Sequence, residues 1–551
     1  MMQFRRAVAL FLIVPVLLAL SAASAEAQTE GIETQLDTVR HLAIQHNGRV
    51  KPFDSFARET VLFLTERYRY QGQDPVETVL RIAASPSEWM DAPLIAVGFR
   101  PLREKLGLTP RTGYVSYNEL VSTRKLMRML PAIVEKQERS ENLSILETET
   151  WDVYQRFAVL SGLMQGSFAL IPPPGEAHFS TPWISVSQEV SQTPASRKIQ
   201  VDWKQLLVFV QEGNTKEIAA TAVVLSDALR VHNELMQPPY PSERRLGLEV
   251  FYNRARPFRA ARVLYFMAFL ILLAGLIRQT RIGTIPGLSL MAVGFGVHAA
   301  GLIIRIILSQ RPPVSNFYET MLWLPFVSVA LAMVFERTTR TRYFALAAAF
   351  LASVVLLLAD RLPLDPAIAP IVAVLRSNLW LTIHVLTIVA SYGALTLACV
   401  LAHLAGFFYL RSGQHEALPG LSTALYRTLQ VGVVLLAAGV MLGAVWGNAS
   451  WGRYWGWDPK ETWALITLLW FLAMLHGRYA GWLKTAGLAI GTIAGFFLLL
   501  VTYYGVSFYM VGLHSYAGAS AKPVPLLLVI YLLAEIGFMA WLGGTAWRRR
   551  Q

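Results

Sequence analysis

The stretch RTLQVGVVLLAAGVMLGAVW, Arg427 to Trp446, is twenty residues long and charged only at its first position. At 1.5 Å of rise per residue a helix of that length covers about 30 Å, the thickness of a bilayer's hydrocarbon core. It has no polar face on which a soluble helix would meet water, so it reads as a membrane span. Working outward from it, eight more such segments recur from Arg262 onward, at about 262 to 279, 284 to 307, 318 to 336, 342 to 359, 384 to 409, 462 to 477, 485 to 509 and 524 to 546. The expected fold class is an all-α polytopic membrane protein of about nine transmembrane helices. The whole chain, 551 residues with 54% hydrophobic and 15% charged, is too apolar to be a string of soluble domains.

The formal charge of +13 suits a nucleic-acid partner, an anionic membrane surface or positively charged internal loops, and its location decides between them. From Pro257 to the end there are 21 Lys or Arg against 8 Asp or Glu, whereas the first 256 residues carry 28 of each. The excess lies between apolar runs, which excludes a nucleic-acid footprint. Ahead of the spans, Arg5 and Arg6, an apolar run from Ala7 to Leu20 and small residues through Ala27 follow the pattern of a signal peptide over 1–27, with an uncleaved anchor as the alternative. Residues 28–256 then read as an exported, mostly helical soluble domain, and 257–551 as the membrane domain. With the first domain outside, parity puts 12 of the 21 basic residues in internal loops or the Arg548-Arg549-Arg550 tail. The lone cysteine, Cys399, excludes an intramolecular disulfide, a CxxC pair and a cysteine-based zinc or iron–sulfur site; inside a span it is a small apolar residue.

After Trp446 the chain continues Gly447-Asn-Ala-Ser-Trp451-Gly-Arg453-Tyr454-Trp455-Gly-Trp457-Asp458-Pro-Lys460-Glu-Thr-Trp463. Five of the fifteen tryptophans fall between 446 and 463. An interfacial belt needs one or two indoles per helix end and has no use for Gly, Asp, Pro and Glu set among them. Flat indoles separated by glycines suit a large planar apolar ligand held at the membrane surface.

These residues carry a resemblance. The run Trp451-Gly-x-Tyr-Trp-x-Trp-Asp-Pro-Lys-Glu-Thr-Trp463 resembles the tryptophan-rich WWD motif of haem-handling membrane proteins. Its ending, with Arg311-Pro-Pro-Val-Ser-Asn-Phe-Tyr-Glu319, Leu381-Thr-Ile-His384-Val, Leu475-His476 and Gly512-Leu-His514-Ser-Tyr516, is most similar to the CcsA (ResC) branch of the System II cytochrome c synthetase. The System I haem chaperones CcmC and CcmF share the WWD logic and are the nearest alternative. A b-type electron-transfer subunit, a rival of another class, usually pairs its ligands within the membrane.

Of the ten histidines, His384 and His514 lie at outer ends of spans and bracket the aromatic stretch, as two axial ligands from opposite faces of one haem would. The resemblance makes them the external ligand pair. It makes His476, about 21 Å along the seventh span from Thr462, one ligand of a second, membrane-embedded haem whose other ligand comes from a CcsB/ResB-like subunit. His298 and His403 are substitutes within the chain, though each reads better as a packed helix-interface residue. His415, His41, His46, His178 and His232 receive no role.

The site residues expected on this basis are Trp446, Trp451, Tyr454, Trp455, Trp457, Asp458 and Trp463 as the platform, with His384, His514 and His476 as iron ligands. Arg453 is a propionate partner, and Arg311 and Lys460 are further cations of that kind. Glu535, in the ninth span, must be partnered or protonated. The implied activity is haem b delivery and its thioether attachment to the CxxCH of apocytochrome c on the periplasmic face of a bacterial inner membrane. The implied partners are a CcsB-like protein, apocytochrome c, a thiol-reducing system and membrane lipid. The chain offers no thiolate nucleophile and no general base beside the platform, so it would act as a lyase subunit by positioning. In the exported domain, His46-Asn-Gly-Arg49-Val-Lys51-Pro-Phe-Asp54-Ser55-Phe-Ala57 resembles a segment that precedes the CcsA module in some fused synthetases; docking the partner or gripping the apocytochrome are its two expected uses.

Overall fold

The computed structural model describes residues 36–108, 113–139, 141–173, 181–188, 193–233, 240–362, 364–368, 379–412, 415–514, 524–549 and 551. The expected signal peptide lies outside them. The chain divides into two compact units, one of residues up to Glu135 with Leu146–Arg254, the other of Ala255–Gln551 with Lys136–Ile145.

The first unit is mostly helical, with α1 (Phe53–Thr65), α2 (Pro75–Ala84), α3 (Ile145–Met164), α4 (Pro194–Glu212), α5 (Thr215–Asn233) and α6 (Glu243–Ala255). Three short two-stranded antiparallel sheets accompany them. The first pairs β1 (Ala43–His46) with β2 (Arg49–Pro52). Its turn is Asn47-Gly48, both at positive φ (51° and 71°), the two-residue hairpin that an Asn-Gly pair encodes because both positions tolerate the left-handed region. Phe53, Phe56, Phe168 and Trp203 meet in the core with ring centroids 5.1 to 6.0 Å apart.

The segment from His46 to Ala57 turns its charges inward. Arg40 donates to Asp54 (2.7 Å) and Asp74 (2.9 Å), and Asp54 also accepts from Arg58 (2.7 Å) and Asn253 (3.0 Å). Arg49 grips Glu249 with two nitrogens (2.7 and 2.6 Å), and Ser55 donates to the same carboxylate (2.6 Å). Lys51 pairs with Glu59. Glu249 and Asn253 belong to α6, so these charges join the hairpin and α1 to the unit's last helix rather than forming a free binding face.

The second unit holds α7 (Pro257–Ile277), α8 (Thr284–Ser309), α9 (Phe317–Thr339), α10 (Tyr343–Arg361), α11 (Leu379–Arg411), α12 (Ala417–Trp451), α13 (Pro459–Tyr479), α14 (Thr485–Leu500) and α15 (Leu526–Arg548). A π-helical stretch, Val501–Gly505, and a last turn, Val506–Tyr509, continue α14. Among the described residues, eight helices are long and apolar enough to cross a membrane. The expected span at 462 to 477 is not one of these eight. Its helix, α13, is 21 residues long but carries Lys460, Glu461, His476 and Arg478. It packs against both α12 and α14, reached through the short connections 452–458 and 480–484.

Glycine stripes set the closest helix pairs. On α12, a Cβ at Gly432 would stand 2.7 Å from Leu395, and one at Gly439 2.7 Å from Ile388, so only bare backbone lets α11 lie this near. Gly287, Gly294 and Gly301 do the same for α8 against Leu272, Tyr265 and Pro257 of α7. Two membrane histidines are internally bonded. His298, fully buried, places Nε2 3.1 Å from the Leu322 carbonyl and Nδ1 3.4 Å from the Tyr265 hydroxyl. His403 has its Nδ1 on the Cys399 carbonyl and its Nε2 on Glu535 (both 2.8 Å), which supplies the partner that Glu535 requires and leaves neither nitrogen for a metal.

Candidate functional site

The aromatic stretch is less of a loop than its composition suggests. Trp446 to Trp451 are the last turns of α12, Gly452 ends that helix in the left-handed region (φ 71°), and only 452–458 is non-helical. Asp458 then caps α13. Its side chain accepts from the Lys460 amide (2.9 Å), while Glu461 reaches back to the amides of Gly456 (2.8 Å) and Asp458 (3.2 Å), with Pro459 at the first helical position. Among indoles, Trp457 takes positive φ (57°), which shows how tightly this corner is drawn.

Two histidines converge on it from different elements. His384 rises from the second turn of α11 against α12, where a Cβ at Gly443 would sit 2.7 Å from its Cε1; the stripe that begins at Gly432 therefore ends by making room for an imidazole. His384 Nδ1 lies 2.8 Å from the Gly439 carbonyl. His514, beyond the π-helical stretch, has its Nδ1 3.0 Å from Asp458 Oδ1, and the neighbouring Leu513 amide donates to Oδ2 (2.7 Å). Trp446 contacts both. Its ring is nearly parallel to that of His384 (9°, centroids 6.2 Å apart) and 5.9 Å from that of His514, with Trp451 5.4 Å from His514.

The hydrogen bonds fix which imidazole nitrogen is protonated. A carbonyl only accepts, so His384 Nδ1 carries the hydrogen; an ionised carboxylate only accepts, so His514 Nδ1 does too. Burial pushes the Asp458 carboxyl up, but the bonds from His514 and from the Lys460 and Leu513 amides outweigh it and hold Asp458 below the ordinary carboxylate range. Both rings therefore present Nε2 as a lone pair, the arrangement of a metal-ligating histidine whose other nitrogen is anchored.

One cavity touches both imidazoles. Ile388, Tyr392, Val440 and Ala464 give it apolar walls, Trp451, Tyr454 and Trp455 its aromatic rim, and Lys460 a cation. Lys460 Nζ donates to two neutral acceptors, the Tyr503 carbonyl (3.2 Å) and Ser507 Oγ (2.9 Å); burial pulls its pKa down to about 7 against the opposing charge of Asp458, and an anion in the cavity would favour the ammonium. Two nitrogen lone pairs, flat aromatic walls and one cation in an apolar cavity fit a haem with its propionates.

The other expected site residues fall as follows. Tyr454 and Trp457 are exposed, Trp455 meets Trp457 edge to face at 5.9 Å, and Arg453 is exposed over Gly456. Trp463 lies one turn into α13, its carbonyl accepting from Thr502 (3.0 Å). Arg311 is corrected: it is buried and bonded to Glu319 (2.6 Å), which also takes Arg305 (2.9 Å) and the Ser315 amide (2.9 Å), so it holds its own loop instead of facing a propionate. His476 is exposed near the other end of α13, its Nδ1 on the Leu472 carbonyl (2.7 Å). Ser515 and Tyr516, as well as His178, lie outside the described residues. Gly443, Tyr503 and Ser507 belong to the site although no motif pointed to them; the glycine spacing on α12 was the available signal.

Residues 314–514 match the family model of the cytochrome C assembly protein. Protein NrfI of Wolinella succinogenes is 30% identical over 499 residues, covering 86% of this chain, and this chain spans about half (54%) of its length. That overlap reaches into residues ahead of 257, since the membrane unit is little more than half of the chain. The cytochrome c biogenesis proteins CcsA of a Synechococcus strain (CC9902) and of Chlorella vulgaris are each 33% identical, over 47% and 39% of this chain and 97% and 80% of theirs. With its stretch of helices, its histidine-flanked tryptophan corner and a relative matched almost end to end, the chain belongs to the CcsA family of cytochrome c biogenesis proteins.

Proposed function

We propose that the chain binds haem b between His384 and His514 on the outer face of a bacterial inner membrane and holds it for attachment to the CxxCH cysteines of an apocytochrome c. The observation that carries this reading is the pair of imidazoles lining one cavity, each with Nδ1 anchored and, among the described residues, no partner on Nε2. Attachment adds each thiol S–H across a haem vinyl group, forming a C–S and a C–H bond with no net change in electrons. The chain's residues would contribute binding, orientation and exclusion of water, with Lys460, which lines the cavity, and Arg453, exposed at the corner, as propionate partners. On this reading there are nine spans, α13 included, with the tryptophan corner outside and the C-terminus in the cytoplasm. His476, exposed and near the cytoplasmic end of α13 in that topology, serves a second haem position completed by a CcsB/ResB-like partner.

Imidazole in the medium should restore haem binding to His384→Gly and His514→Gly, whose rings line the cavity at the tryptophan corner, and restore His476→Gly poorly, because in the proposed topology its exposed face meets lipid or the partner. Absorption spectra of the purified chain, with and without its partner, measure this; equal rescue of all three variants contradicts the placement. Gly443→Val provides a second check. Its side chain must occupy the space of His384 Cε1, 2.7 Å from the new Cβ, so haem retention should fall about tenfold or more, in line with supporting residues around other metal ligands. Wild-type retention would show that His384 has another place to go.

A further inference from the structure

We infer that Asp458 is a positioning residue that selects the tautomer of His514 and thereby makes it a ligand. The inference rests on the haem-binding reading above. The Asp458 carboxylate caps α13, where the Glu461 amide completes the capping box, and meets the His514 segment: Oδ1 accepts from His514 Nδ1 (3.0 Å) and the Lys460 amide (2.9 Å), and Oδ2 accepts from the Leu513 amide (2.7 Å). It is buried, and a Cβ at Gly512 would lie 2.5 Å from Oδ2, so the backbone leading to His514 closes directly onto the carboxylate. No donor of its own competes, and the only orientation of His514 that suits it has the hydrogen on Nδ1.

The two imidazoles are thus anchored by unlike acceptors, a neutral carbonyl for His384 and a carboxylate for His514. A charged acceptor bonds more strongly and shifts electron density onto the ring, so His514 is the more basic of the two ligands. Asp458 also joins the cap of α13 to the His514 segment, which lets a movement of the tryptophan corner reach the ligand through one side chain.

Asp458→Asn separates orientation from architecture. Asparagine caps helices as well as aspartate does, so α13 keeps its start. Its amide nitrogen, however, donates, and a neutral His514 satisfies that donor by moving its hydrogen to Nε2, where the lone pair is lost; the alternative placement of the amide leaves only a weaker neutral acceptor. The expected result in the full chain is a 10- to 100-fold loss of haem affinity by absorption titration. Imidazole should restore the variant as it restores His514→Gly, and the reduction potential of the haem it still binds should rise, since the ferric state loses a charged anchor. Wild-type affinity and an unmoved potential in Asp458→Asn, with His514→Ala defective, would overturn this inference alone. Haem loss that imidazole does not restore would also overturn it, because Asp458 would then be building the corner and not orienting the ring. Unchanged haem content in His514→Ala would instead remove the haem-binding reading beneath it.

Discussion

The purified His514→Ala and His384→Ala variants should each retain less than about a tenth of the haem of the wild-type chain at the outer site, a loss of at least about 1.4 kcal/mol. On the proposed ligation, each substitution would remove one of two nitrogen donors to the iron. The two effects should not add. If the two imidazoles hold the haem together, the double variant would have little left to lose beyond either single one, as expected of groups that act as a unit. The surrounding helices should remain intact, because the closest α11/α12 approaches, Gly432 on Leu395 and Gly439 on Ile388, do not use either ring. Haem content and spectrum unaffected in both variants would refute the ligand assignment.

The second large effect lies in the first compact unit. Asp54→Ala removes the acceptor shared by Arg40, Arg58 and Asn253, and leaves Arg40, 1% exposed, with Asp74 as its remaining carboxylate. Removing one partner of a buried ion pair destabilises by about 3 to 5 kcal/mol, because the surviving charge stays desolvated. Burial pushes the Asp54 carboxyl up, but Arg58, Arg40 and Asn253 more than reverse this and hold it below its ordinary value. Glu59 is lowered in the same way against burial, by His46 and Lys51. A depressed carboxylate stabilises the fold fully above its unfolded pKa of about 4 and less as pH falls toward the folded value. The wild-type unit should therefore resist proteolysis at pH 5 and lose resistance below about pH 4, whereas Asp54→Ala is already sensitive at neutral pH. Limited proteolysis of the full chain in detergent across urea and pH reads both; equal urea midpoints at pH 7 for the two proteins would show that the network adds nothing.

The membrane helices were legible because a span must satisfy its backbone internally and cover its flanks with apolar side chains, which leaves a strong signal in sequence. The helix at 459–479 was read from its apolar middle, yet its polar ends keep it from qualifying on composition. The tryptophan stretch looked like a loop because glycine and aromatic residues are weak helix formers, and packing against α11 carried α12 through them as far as Trp451. The Asn47-Gly48 hairpin was written plainly in two residues and overlooked inside a mostly helical domain. Arg311 was misjudged for a different reason. A cation's partner depends on distances between elements, and Glu319, eight residues on, is brought to it only by the turn that Asn316 caps. His384 and His514 stood out by their flanking positions, but the anchors that set their protons, the Gly439 carbonyl and Asp458, are 55 and 56 residues away in sequence.

The π-helical stretch Val501–Gly505 amounts to one residue more than a regular helix needs for that turn. Everything after it, including the approach to His514, is offset by about 100° around the helix axis from where an uninterrupted α14 would have carried it. Length at this point is therefore an aiming device. A single-codon deletion between 501 and 505 could heal the helix and make it locally more regular, while turning the following residues away from the tryptophan corner. Among CcsA homologues, a gap of one residue in this turn would thus mean more than many substitutions, since it changes the direction in which an otherwise identical segment points.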